Sequence, residues 1–258
     1  MPVELYRAPD HAVIAFHDLV PRAGAIAANQ YLIIHGYEAA LIDPGGDLLF
    51  AVLLNQVLDF IRTDQLRYVL ATHQDPDVAG SIARWFMSAP ITVVVSQLWG
   101  RFLQHSVPGY QIDSGEVRYQ LLPDEGARVR FADGYAIEAV PAHFLHSPGN
   151  FHFYDPIGRI LFCGDIGASN SKQAFGPVVD FDAHVPTMRA FHERYMASRI
   201  AGQAWAGRVR HKDIRLLAPQ HGPYFEGADV SRLIDWVEQQ RCGVDLLQAS
   251  GAVADDAA

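Results

Sequence analysis

The stretch Thr72-His73-Gln74-Asp75-Pro76-Asp77-Val78 places one imidazole and two carboxylates at alternate positions. A nitrogen-rich cluster would suit zinc, whereas carboxylates mixed with histidine suit a harder, redox-capable ion such as iron or manganese at least as well. Pro76 keeps Asp75 extended and delays the helix that the following pattern predicts over 78–87. An extended backbone sets His73, Asp75 and Asp77 on one side of the chain. Gly80 and Ser81 then fall in the first turn of the helix. The apolar run 67–71 reads as a strand, so the ligand-type residues follow a strand end.

That arrangement recurs along the chain. Strands are predicted at 11–16, 30–34, 39–43, 91–96, 117–122, 135–141, 150–154, 159–163 and 215–217. Helical spacing marks 48–62, 97–105 and 183–197, and a final amphipathic helix carries Val230, Leu233, Ile234, Val237 and Leu247. His146 follows the strand ending at 141, Asp165 the one ending at 163, and His221 the one ending at 217. Separate strand ends that each hand over one such residue are how a rigid scaffold builds a site from loops. Two β-rich halves, each adding helices, imply an α/β fold of two stacked sheets with helices on the outer faces.

Composition narrows the function classes. The 258 residues are half hydrophobic, enough for a substantial core, and carry a formal charge of -9. An acidic chain with no basic run is a poor partner for nucleic acid. Two distant cysteines, Cys163 and Cys242, form no disulfide framework and suit a reducing compartment. The N-terminus lacks a signal-peptide pattern, and no apolar run approaches the about 20 residues that span a bilayer. The expectation is a cytoplasmic protein with one domain over 1–250 and a flexible acidic tail over 251–258.

The segments 72–77, His146-Ser147-Pro148-Gly149, Leu161-Phe162-Cys163-Gly164-Asp165 and Pro219-Gln220-His221-Gly222-Pro223 resemble, in order, the metal motifs of the metallo-β-lactamase superfamily. Residues 29–33 and 41–43 resemble its opening strands. The resemblance implies a four-layer αββα metallo-β-lactamase-like sandwich. Hydrolases of that superfamily usually read His-x-His-x-Asp-His at the first motif. Here Asp75 stands where the second histidine is expected and Val78 where the third is. A carboxylate at the middle position resembles the di-iron branch, which comprises flavodiiron proteins and the stand-alone oxygen-binding di-iron proteins linked to bacterial chemotaxis.

By that resemblance His73, Asp75 and His146 hold one iron, Asp77 and His221 hold another, and Asp165 bridges them. Val78 leaves the second ion short of a ligand, with His143 and His152 as candidate substitutes. The metal alternatives are zinc and manganese, and no residue beyond the ligands is assigned a catalytic role. No flavin-binding loop is visible, and a flavodoxin-like domain would take roughly 100 or more further residues. The leading expectation is therefore a non-haem di-iron protein that binds or reduces dioxygen or nitric oxide, as a sensor or an oxidoreductase. It would work with an external electron donor or signalling partner, and a homodimer is compatible with it. The alternative is a metal-dependent hydrolase of a thioester, lactone or phosphoester, in which a metal-bound hydroxide is the nucleophile. Asp43 is read as a strand-end carboxylate that accepts backbone N–H groups, and Cys163 as a small buried hydrophobe.

Overall fold

The computed structural model of the chain describes residues 1–20, 25–115 and 117–249. One sheet runs in chain order through β1 (Val3–Ala8), β2 (His11–Phe16), β3 (Gln30–His35), β4 (Glu38–Ile42), β5 (Leu66–Leu70), β6 (Thr92–Ser96) and β7 (Tyr119–Leu122). The other runs through β8 (Ala127–Arg130), β9 (Ala136–Pro141), β10 (Phe151–Asp155), β11 (Ile160–Phe162), β12 (Leu216–Ala218) and β13 (Phe225–Glu226). β1 to β4 pair antiparallel through short turns, whereas β4 to β7 pair parallel and need crossovers. The crossovers are α1 (Phe50–Leu58), then α2 (Pro76–Ala79) with α3 (Ile82–Ser88), then α4 (Gln97–Leu103) with α5 (Gly109–Asp113). In the second half α6 (Phe181–Tyr195) and α7 (Arg199–Val209) lie between the parallel strands β11 and β12. α8 (Ala228–Gln239) and α9 (Val244–Ala249) follow β13.

Alternation along the strands sorts the core into three layers. Val13, Ile33, Ile42 and Leu70 of the first sheet meet Phe151, Phe153, Ile160 and Phe162 of the second. Ile14, Leu32, Leu41 and Val69 point the other way, onto Leu53, Val57, Ile82 and Trp85. The second sheet turns Val140, Leu161 and Cys163 outward onto Met188, Trp205, Leu233 and Val237. The order is helix, sheet, sheet, helix, and strands covered on both faces read as continuous apolar runs. All six residues of β2 are buried.

The predicted helix over 78–87 is in fact two. Asp75 stands at the N-cap position of α2 without a side-chain capping bond, Pro76 takes the first helical position, and Asp77 lies in the first turn. Gly80 ends α2 and Ser81 precedes α3. Asp77 therefore reaches the site from a helical turn and not from an extended strand. Leu247 belongs to α9, because the chain breaks between α8 and α9 around Gly243, whose φ is +50°. α7 was not legible in the sequence. Its Gly202 and Gly207 blur any amphipathic stripe, yet Gly202 is required, since a Cβ there would lie 2.6 Å from the carbonyl oxygen of Val237 in α8. β1, β8, β13 and α5 also lacked a clear pattern. Residues 251–258, expected to be a tail, lie outside the described residues. Among the described residues no helix is long and apolar enough to cross a membrane.

Candidate metal centre

One end of the sandwich is stitched by backbone bonds between its turns, two of which cross from sheet to sheet. The amide of Phe151, at the start of β10, donates to the Thr72 carbonyl just beyond β5 at 2.9 Å. Gln220 N–H donates to Gly164 O at 2.7 Å, and Asn29 N–H donates to Gln220 O at 2.6 Å. The buried Asn29 amide also donates to Pro219 O and Gly222 O, and the Tyr31 hydroxyl donates to Pro219 O at 2.6 Å. These bonds fix the turns that follow β5, β11 and β12, the same turns that carry the ligand-type side chains.

The side chains converge. His146 Nε2 lies 3.3 Å from Asp75 Oδ2 and 3.0 Å from Asp165 Oδ2. His73 Nε2 lies 3.8 Å from Asp75 Oδ2 and 3.5 Å from Asp165 Oδ2. The other oxygen of Asp165 faces His221 Nε2 at 3.5 Å, and His221 Nε2 lies 3.3 Å from Asp77 Oδ2. Asp165 is nearly buried and turns one oxygen to each half. Among the described residues, ligand atoms of His73, Asp75 and His146 all lie within 4.8 Å of one another, which makes this half a candidate metal site. Asp165 Oδ1, buried and without a hydrogen-bond partner among the described residues, is an acceptor that a cation would satisfy. The donor set fits a metal.

Surrounding groups fix which ring nitrogens face inward. His221 Nδ1–H donates to the Ala27 carbonyl at 2.7 Å, which aims Nε2 at the cluster. His73 Nδ1 lies 3.0 Å from the Thr72 hydroxyl, and that hydroxyl donates to Asp43 at 2.9 Å. With its single proton given to Asp43, Thr72 accepts from His73 Nδ1–H. Asp43 also accepts the Thr72 backbone N–H at 2.8 Å, as the sequence suggested, but its link to His73 through Thr72 was not foreseen. Such carboxylate-to-histidine chains orient metal ligands. Gln74 Nε2–H donates to Asp75 Oδ1 at 3.3 Å, while Ser147 Oγ–H donates to Gln74 Oε1 at 2.8 Å. That latch joins the turn of Asp75 to the turn of His146. Close approach fixes α2 as well: a Cβ on Gly80 would lie 2.4 Å from Pro76 O, and one on Gly46 would lie 3.1 Å from it.

Among the described residues, neither candidate substitute belongs to the close three-ligand group. His143 Nε2–H donates to the Asp124 carbonyl at 2.8 Å. His152 Nδ1 accepts from the Trp205 indole at 2.8 Å on the outer face of the second sheet. His11, hydrogen-bonded to Asp155, and His35 lie at the far end of the sandwich. His192 in α6 accepts the Gly167 N–H and donates to Met188 O.

The family described as ODP family beta lactamase matches residues 26–222. The chain belongs to the ODP family. A solved structure described as the peroxy di-iron species of chemotaxis sensor ODP is 35% identical to this ODP-family chain, with a TM-score of 0.84. It covers 96% of this chain and 98% of its own. The apo state of chemotaxis sensor ODP from T. denticola is 34% identical, with a TM-score of 0.83 over 96% of this chain and 98% of that one. Diflavin flavoprotein A 1 from Synechocystis sp. is 28% identical over 225 residues, 82% of this chain and 37% of that protein. The chain thus spans about a third of the curated relatives it matches. The resemblance to the di-iron branch of the metallo-β-lactamase superfamily therefore holds, and so does the sandwich it implied.

Electrostatics in this ODP-family cluster follow from its packing. Burial opposes a charge on His146, but the carboxylates of Asp165 and Asp75 outweigh it and push the imidazole up to about 10. His221, desolvated yet beside Asp77 and Asp165, is pushed up to about 9. Asp165 is desolvated too, but His73, His146 and His221 hold its carboxyl well below the usual range. Burial lowers His73, and burial pushes Asp43 up to about 7 against the donors of Thr72. At pH 7 the metal-free cluster therefore holds protons on His146 and His221, which a metal bound through those nitrogens would displace. Raised histidine values mean that protons compete below about pH 9, so metal affinity rises with pH up to that range. Calorimetric loading in two buffers of different ionisation heat should show about two protons released per chain at pH 7. Release of none would contradict this protonation state.

Proposed function

We propose that the chain holds two iron ions and that the reduced pair binds dioxygen, in an oxygen-sensing role. His73, Asp75 and His146 are the ligands of the first ion, Asp77 and His221 those of the second, and Asp165 is the bridge. The observation that carries this reading is Asp75, a carboxylate in a histidine position, 3.3 Å from His146 Nε2 and 3.8 Å from His73 Nε2. Carboxylates favour the harder ion over zinc and stabilise its oxidised state by their charge. The name of the 35% identical relative, a chemotaxis sensor in a peroxy di-iron form, supports the same reading. Iron held by these residues would, when reduced, supply the electrons that dioxygen takes up.

The protein's own contribution is the shape of the space over the cluster. A cavity of about 460 Å³ opens over the cluster, lined by Val20, Ile26, Leu48, Leu49, Phe191 and Tyr195 beside Asp75, Asp77, His146, Asp165 and His221. Apolar walls admit an uncharged diatomic at little desolvation cost. The proposal places the protein in the cytoplasm with an external electron donor or a signalling partner.

The test is anaerobic reconstitution with ferrous iron, followed by metal counting and exposure to air. Two irons per chain and a new visible absorption band on oxygenation are expected. One zinc per chain with no oxygen-dependent absorption, together with turnover of a thioester or phosphodiester, would replace this reading with hydrolysis.

A further inference from the structure

We infer that Gln220 is a ligand of the second metal, its side-chain amide oxygen standing in for the histidine that Val78 replaces. The inference rests on the two-metal reading above. The second half of the cluster is the poorer one. Among the described residues, the close three-ligand group is the first half alone, and the second offers His221, Asp77 and one oxygen of Asp165. Val78 contributes nothing there, because its side chain is fully buried in the core with Leu49 and Trp85.

Gln220 immediately precedes His221 and is 1% exposed. Its backbone is fully used, N–H to Gly164 O and C=O from Asn29 N–H, so the side chain starts from a fixed point. Its amide reaches Asp77: Nε2 lies 3.5 Å from Asp77 Oδ2, the same oxygen that faces His221 Nε2 at 3.3 Å. That separation is long for a hydrogen bond between an amide and a carboxylate, which prefers about 2.7–3.2 Å. It lies within the span of two oxygens that each sit roughly 2.0–2.2 Å from one shared ion.

The polar atoms of the amide are also poorly served without an ion. Oε1 is buried and has no hydrogen-bond partner among the described residues. The two ends of an amide have nearly the same shape, so the group turns over without displacing its neighbours. Turned, the oxygen faces Asp77 Oδ2, an approach that is repulsive alone and favourable with a cation between the two oxygens. An amide oxygen is a hard, neutral ligand of the class that suits the harder divalent ions. It would add a fourth ligand to the second ion without adding to the negative charge of three carboxylates.

Gln220→Leu and Gln220→Glu separate a ligand from a mere hydrogen-bond donor. Metal-free protein is titrated anaerobically with ferrous iron against a competing chelator, and iron is counted per chain. Wild type should bind two, and Gln220→Leu should bind one tightly, with the second weakened at least about tenfold, the lower range for loss of a supporting group. Gln220→Glu, which keeps an oxygen at the position, should restore two. The inference is overturned if Gln220→Leu keeps two irons at unchanged affinity. It is equally overturned if Gln220→Glu loses the second iron, since donation by the amide N–H to Asp77 was then the role. Should Gln220→Leu fail to fold, by circular dichroism of the metal-free protein, the Gln220→Glu result decides alone. Wild type that takes up no second iron sinks the two-metal reading itself, a different failure read from a different sample.

Discussion

Asp165→Ala is expected to strip the protein of metal while leaving its fold intact. Asp165 turns one oxygen to His73 and His146 at 3.5 and 3.0 Å and the other to His221 at 3.5 Å, so one substitution removes the proposed shared ligand from both halves. Loss of a supporting residue alone typically costs 10–100-fold in metal affinity, and a shared ligand counts at each ion. Iron after anaerobic reconstitution should fall from about two per chain to a trace. Asp165→Asn should fall nearly as far, because the amide keeps the shape but loses the negative charge that would face both cations. The metal-free fold should survive. Asp165 follows β11 at the rim of the sandwich, and His146 and His221 can release the protons that its charge holds on them. Circular dichroism and melting of the metal-free variant check that point. Two irons retained by Asp165→Ala would remove the bridge from the proposal.

How far the sequence reached can be judged residue by residue. His73, Asp75, His146, Asp165 and His221 were legible because each follows an apolar strand run, and strand ends on one side of a sandwich meet by topology. The layer order was legible for a related reason: strands covered on both faces carry unbroken apolar runs. Contacts between distant segments were not. Asn29 holds the turn of His221 from 190 residues away at Pro219, and Ser147 meets Gln74 from 73 residues away. A single chain carries no local mark of such pairs. Asp77 misled for a local reason. Proline disfavours the helical region for the residue before it but favours the first helical turn for itself, so Pro76 kept Asp75 extended and drew Asp77 into α2. α7 escaped because glycine at Gly202, needed for contact with α8, reads as a helix breaker.

Trp85→Ala should cost the largest share of stability that one side chain can give here, about 3–5 kcal/mol for a large aromatic deleted from a packed core. Trp85 in α3 has no exposed surface, and Phe50 of α1 meets it edge to face at 5.2 Å. Its indole N–H points at Ser81 Oγ at 3.1 Å and Pro44 O at 3.3 Å, and Ser81 Oγ donates to Gly45 O at 2.7 Å. The ring therefore supports the Pro44–Gly46 turn, against which α2 packs closely: a Cβ on Gly46 would lie 3.1 Å from Pro76 O. For a chain of this length each kcal/mol lowers the melting temperature by roughly 2–4 °C, so a drop of roughly 6–20 °C is expected. Trp85→Phe separates packing from hydrogen bonding. It keeps most of the buried area and loses a bond worth about 0.5–1.5 kcal/mol, so its loss should be well under half that of Trp85→Ala. Equal losses would assign the role to the N–H and not to the ring. Because the loosened turn backs α2, which starts from Asp75 and carries Asp77 in its first turn, Trp85→Ala should also weaken metal binding through both of these proposed ligands. Chelator competition on the folded variant reads the loss, and an unchanged affinity would break the link from core to site.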